Sequence, residues 1–108
     1  METKTVIIES PYAGDTGRNE KYVKRCILDS LKRGEAPFAS HAIYTQVLDD
    51  TISDERKMGM NAGFAWLVKS DCTAVYHDYG VSNGMMEGIR IAMELNHYVE
   101  YRKIGKNP

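Results

Sequence analysis

The sequence predicts a single α/β domain with a small, mainly parallel β-sheet of about four to five strands. Three observations lead there. Short extended runs recur at Thr5–Ile8, Ala36–Ala39, Thr73–Tyr76 and Tyr98–Tyr101. Segments with apolar residues at steps of three to four lie between them. A chain of 108 residues forms one core and leaves no room for a second domain. Strands that alternate with helices make a parallel sheet, because each crossover helix covers a sheet face.

Each element has its own signal. Thr5-Val6-Ile7-Ile8 is a β-branched run, and Ser10-Pro11-Tyr12-Ala13-Gly14-Asp15 supplies turn chemistry at once. From Arg18 to Arg33, Tyr22/Val23, Cys26/Ile27 and Leu31 form an apolar face, with Asp15 or Thr16 near the start and Gly34 as the stop. Pro37 places the brief second strand at a sheet edge. His41 to Asp50 is expected as a long loop. Ser53 then caps a helix to Lys69, with Asp54 and Glu55 in its first turn and Met58, Ala62, Ala65 and Trp66 as its stripe. Thr73–Tyr76 is the third strand. Ser82 caps a last helix through Leu95, with Met86, Ile89 and Met93 as its apolar face. Tyr98–Tyr101 is the final strand, and the basic tail Arg102–Lys106 is expected to be mobile.

Fourteen Lys+Arg against fifteen Asp+Glu give a net charge of −1. This excludes affinity built on neutralising a nucleic-acid backbone, but small anions remain possible ligands. Cys26 and Cys72 sit in apolar segments and read as buried free thiols. No run approaches the ~18 apolar residues of a membrane span, so no membrane association and a cytoplasmic location are expected. His41, His77 and His97 lack metal-ligand spacing, so neither a metal nor another cofactor is expected. Met58, Met60, Met85, Met86 and Met93 read as adaptable core filling.

In a parallel sheet, ligands sit beyond the carboxyl ends of the strands. That brings the loop Ser10–Asn19 and the loop His77–Gly84 to one edge. Ser82-Asn83-Gly84-Met85-Met86-Glu87 opens a capped helix, whose first amides attract a phosphate or carboxylate. Gly84 and Glu87, three apart, share a face that leaves space before the Glu87 carboxylate. The plainer alternative is a cap, a packing glycine and a solvated charge. The first loop offers Ser10, Tyr12, Gly14, Asp15, Arg18 and Asn19, suited to a nucleoside, though an ordinary strand-to-helix turn uses the same residues. Its glycines fit neither GxGxxG nor the P-loop pattern. His41 and Gln46 of the middle loop, and the Asp49-Asp50 pair, are further polar candidates, with surface or packing roles as the alternative.

The segments Glu9-Ser10-Pro11-Tyr12-Ala13-Gly14, Trp66-Leu67-Val68-Lys69-Ser70-Asp71 and Ser82-Asn83-Gly84-Met85-Met86-Glu87 resemble the nucleoside 2-deoxyribosyltransferase-like superfamily. The chain is especially similar to its small proteins from bacteria and their phages, in Ser10-Pro11-Tyr12, Pro37-Phe38-Ala39-Ser40-His41 and Gly80-Val81-Ser82-Asn83-Gly84-Met85. The resemblance implies a three-layer Rossmann-like (flavodoxin-like) fold and cleavage or exchange of an N-glycosidic bond. Glu87 would attack the anomeric carbon, giving a glycosyl ester resolved by water or a second base. The implied nucleoside or nucleotide contacts are Ser10, Pro11, Tyr12, Gly14, Arg18, Asn19, His41, Gly80, Ser82, Asn83, Gly84 and Met85. It also implies a homodimer or higher homo-oligomer, whose sites a neighbouring subunit completes. Two positions depart from the pattern: Ile7 stands where related enzymes carry a tyrosine, and Gly63 where they carry an aspartate. Asp78 in the nearby loop is then the candidate acid. The expected ligand is a small nucleoside or nucleotide and not a nucleic-acid polymer. Two activities follow from the resemblance: N-glycosidic chemistry, or capture of a cyclic nucleotide or ADP-ribose-type signal that lets a phage evade host defence. A purely structural oligomer is the third possibility.

Overall fold

The computed structural model describes residues 2–108. Four parallel strands, β1 (Thr5–Glu9), β2 (Ala36–Phe38), β3 (Cys72–Tyr76) and β4 (Val99–Arg102), stand in the order β2-β1-β3-β4. Four helices join them: α1 (Thr16–Lys32), α2 (Ser40–Ile43), α3 (Ser53–Leu67) and α4 (Asn83–Glu94), with a 3₁₀ turn at Tyr44–Gln46 after α2. The strand order reverses between β1 and β3, which makes the fold a small three-layer Rossmann-like, flavodoxin-like sheet with its switch point at that pair.

Side-chain alternation along the strands decides the layers. Val6 and Ile8 of β1, with Cys72, Ala74 and Tyr76 of β3, meet Tyr22, Val23 and Cys26 of α1. Ile7 and Val75 face the other way, toward Leu67 of α3 and Met85, Ile89 and Ala92 of α4. Both cysteines are buried and free. Asp15 caps α1, its Oδ1 accepting from the Arg18 amide at 3.1 Å. Gly34, at φ +83°, ends that helix in a conformation that costs other residues a Cβ clash.

Several expectations are corrected. His41–Asp50 is not one loop, since α2 and the 3₁₀ turn occupy its first half. Ser53 is the first helical residue of α3, Ile52 holds the cap position without a side-chain bond, and the helix ends at Leu67. The inward face of α3 runs through Gly59, Met60, Gly63, Phe64 and Leu67, leaving Met58 and Trp66 exposed, because this helix leans over a cavity before it reaches the sheet. On α4 the buried face is Met85, Gly88, Ile89 and Ala92, so Met86 and Met93 lie in solvent. Three of the five methionines expected as core filling are therefore exposed.

The basic tail is pinned. Arg102 is buried, and its guanidinium meets Glu35 through two parallel contacts of 2.8 Å. The Asp78 carboxylate accepts from the Ile104 and Gly105 amides at 3.0 and 3.1 Å. Among the described residues no helix is long and apolar enough to cross a membrane.

Candidate functional site

A cavity of about 850 Å³ opens beyond the carboxyl ends of β1 and β3. Its volume falls within the range of small-molecule sites. The exit of β1 contributes Glu9, Ser10, Tyr12 and Gly14, α2 contributes His41, and the start of α4 contributes Ser82 to Met85 with Glu87 and Gly88. The inward face of α3 closes the remaining side, with Arg56 and Glu55 near its start.

Local chemistry builds each wall. At the start of α4, Ser82 sits in extended conformation and its hydroxyl accepts from the Met85 amide at 3.3 Å. The amides that open any helix have no partner inside it. Apart from its chain neighbours and the helix's own backbone, no heavy atom lies within 4 Å of where a Cβ on Gly84 would stand, so the approach to those amides is open. On the opposite wall, Ser10 Oγ and His41 Nε2 share a hydrogen bond of 2.7 Å, joining the first strand to α2 across 31 residues. Burial pushes the His41 imidazole down to about 4, so it is neutral at physiological pH.

Of the three glutamates that line the cavity, Glu9 and Glu87 differ sharply in environment. The Glu87 carboxylate is tied to Arg90 one turn on, through Oε1 at 2.6 Å and Oε2 at 3.2 Å. That hydrogen-bonded cation holds its carboxyl below the ordinary range, and the group stays partly exposed at the rim. Glu9, the last residue of β1, is on the strand face that looks toward α3 and α4. Burial alone raises its carboxyl to about 8. Sequence reasoning missed Glu9 as a site residue. The available signal was an acidic residue two positions after Ile7, hence on the same inward face of a strand buried on both sides.

Of the residues expected as nucleotide contacts or catalytic groups, the structure gathers nine around this cavity, Ser10, Tyr12, Gly14, His41, Ser82, Asn83, Gly84, Met85 and Glu87; of the further polar candidates Asp50 lines it, and Gln46 and Asp49 do not. Five others do not line it, namely Pro11, Arg18, Asn19, Asp78 and Gly80. Asn19 works from behind, its Nδ2 donating to the Tyr12 and Ala13 carbonyls at 2.9 and 3.1 Å and so shaping the loop. Arg18 lies over the Tyr79 ring, 3.9 Å from its centre, and donates to Asn19. Gly80, at φ +86°, makes a turn. Asp78 is a structural clamp: besides the tail amides it accepts from the Tyr22 hydroxyl at 2.5 Å. Burial raises its carboxyl, but these donors outweigh burial and hold it below the ordinary range. Asp78 is therefore not available to the cavity as an acid.

Position 63 has no room for the aspartate that the resemblance would place there. A Cβ on Gly63 would meet Ser40 Oγ at 2.9 Å and Ser40 Cβ at 3.3 Å. Even Gly63→Ala is expected to push α2 off α3 and lower stability by about 1 kcal/mol, as overpacking does. A urea melt of that variant matching wild type would show that α2 yields freely.

Among the described residues no group of three or more His, Cys, Asp or Glu is placed to hold a metal ion. No curated protein matches the chain. A family model described as "Domain of unknown function (DUF7768)" matches residues 4–102, from just before β1 to the last residue of β4. The match covers the whole sheet and every helix, and the chain belongs to that family of domains.

Proposed function

We propose that the chain binds a nucleoside or nucleotide in this cavity and cleaves or exchanges its N-glycosidic bond, with Glu87 as the nucleophile. One observation carries the reading. The exit of β1 and the first turn of α4 border the same hollow, with Glu87 at its rim. Around it the polar groups fall into two kinds. Ser10 and neutral His41 suit an uncharged hydrogen-bonding partner such as a base. The α4 amides and Arg56, which has no carboxylate partner among the described residues, suit a phosphate. The likeness of the chain's motifs to the deoxyribosyltransferase-like superfamily supports the same chemistry.

The test is to incubate the protein with ribo- and deoxyribonucleoside 5′-monophosphates and follow free base by chromatography. Wild type is expected to release base, and Glu87→Gln to lose at least a hundredfold in rate. Unchanged release by Glu87→Gln would remove it as the nucleophile.

A second reading has its own observation. Both Glu87 oxygens are already engaged by Arg90, which blunts a nucleophile and suits a protein that captures a nucleotide-derived signal, cyclic or ADP-ribose-type, without turnover. A phage-type anti-defence role belongs to this reading. Intact ligand recovered in stoichiometric amount after denaturation would favour it. The apolar groove whose exposed side chains are Val81, Met86, Met93 and Tyr101, with buried Ile89 at its floor, supports assembly as a homo-oligomer in either case.

A further inference from the structure

We propose that Glu9 is the acid of this cavity, giving its proton to the departing base while Glu87 attacks the anomeric carbon. This deepens the N-glycosidic reading and rests on it.

The packing around Glu9 is the first argument. α4 carries no side chain at Gly88, and a Cβ there would run into the Glu9 carboxyl group, whose Cδ would lie only 2.8 Å away. The glycine is a notch that holds the carboxyl against the helix, one residue from Glu87 and at the cavity wall. No hydrogen bond or ion pair engages that carboxyl among the described residues, and burial alone accounts for its raised value of about 8. The titratable and charged groups around the cavity are Tyr12 after β1, neutral His41 from α2, Tyr44 from the 3₁₀ turn, Glu55 and Arg56 from α3, Asp50 before it, and Glu87 from α4. None of them pairs with Glu9. A buried carboxyl without donors or a close cation keeps its proton at neutral pH.

The second argument is the contrast with Glu87, which Arg90 keeps ionised. Two carboxyl groups pushed in opposite directions beside one cavity divide the roles of acid and nucleophile between them. As the C1′–N bond breaks, its electron pair goes to the base nitrogen, which takes the Glu9 proton. A Glu87 oxygen forms the new C1′–O bond. Water then attacks C1′, gives a proton to the Glu9 carboxylate and releases Glu87. The balance is nucleotide and water to free base and sugar phosphate.

The experiment compares two leaving groups in wild type and Glu9→Gln. Adenosine 5′-monophosphate needs a proton on its departing base, whereas nicotinamide mononucleotide carries a cationic base that leaves without one. Glutamine matches the neutral acid in shape, so the cavity is kept. The expected result is a loss of a hundredfold or more on the adenine substrate with less than tenfold on the nicotinamide one. Wild type should show an alkaline limb in kcat/KM near pH 8 for the adenine substrate alone. Equal losses on both substrates, or no loss on either, would overturn the acid role while the N-glycosidic reading stands. If wild type cleaves neither substrate nor any other nucleotide, the reading itself fails and the role of Glu9 with it.

Discussion

Glu35→Ala is expected to lower stability by about 3 kcal/mol or more, because it strands a buried guanidinium. Arg102 is 5 % exposed, and Glu35 supplies both of its short carboxylate contacts. Glu100 remains as a weaker partner at 3.3 Å, and the Arg102 Nε already lacks one. For a domain of this size such a loss lowers Tm by roughly 10 °C. The control is Arg33→Ala, which breaks exposed contacts to Asp29 and Glu100 and should cost less than about 1 kcal/mol. A melt in which the two variants behave alike would deny the buried pair its structural role. The pH dependence has a definite sign. The hydrogen-bonded Arg102 guanidinium holds the Glu35 carboxyl below its ordinary 4.5, despite burial. The stabilisation is therefore complete above pH 4.5 and is lost as pH falls through the lower folded value. The gap between wild type and Glu35→Gln should be constant at neutral pH and close in acid.

Glu9→Gln should move stability the other way. The Glu9 carboxyl is raised by burial from 4.5 to about 8, so the folded protein holds a proton that the unfolded chain has released. Wild type consequently loses stability as pH rises from 4.5 to 8, relative to a variant that cannot ionise. A tenfold difference in proton affinity between the folded and unfolded chain is worth about 1.4 kcal/mol. With water entering the cavity mouth, a gain of about 2 kcal/mol for Glu9→Gln at pH 8 is the expected size, vanishing near pH 4. Urea melts at the two pH values check it. A variant less stable than wild type at pH 8 would mean that the Glu9 carboxylate has a partner in the folded protein. A residue whose replacement improves the fold is one retained for another reason, and active sites are where such residues collect.

Much of this arrangement is legible in the residues. The β-branched run before Ser10 and the cap at Ser82 follow from local chemistry, and the structure places both where the pattern puts them. The same spacing that sets Glu87 one turn from Gly84 also sets Arg90 three residues beyond it, an i,i+3 ion pair visible without coordinates. The segment after His41 is not legible, because no apolar side chain of α2 or the 3₁₀ turn is fully buried and so no apolar period shows. The stripe on α3 is misplaced for a related reason: its inward face lines the cavity, and Gly59 and Gly63 lie close against Tyr44, Leu48 and Ser40 where apolar side chains would stand elsewhere. Asp78 reads as a loop acid because its partners, Tyr22 and the tail amides, lie 56 and 26 residues away. Tertiary contacts of that range leave no local trace.

The wall that bears His41 is packed on α3 and, through Ala42, on the core, but few hydrogen bonds tie it to the rest of the fold. Besides its Ser10 bond it is moored by Tyr44, whose hydroxyl accepts from Trp66 Nε1 at 2.9 Å and whose ring meets Phe38 edge-on. A stretch tied to the fold by so few hydrogen bonds is expected to exchange its amides ahead of the sheet behind it. Removing either mooring, in Ser10→Ala or Trp66→Phe, is expected to speed amide exchange in residues 40–46 while exchange in the strands stays unchanged.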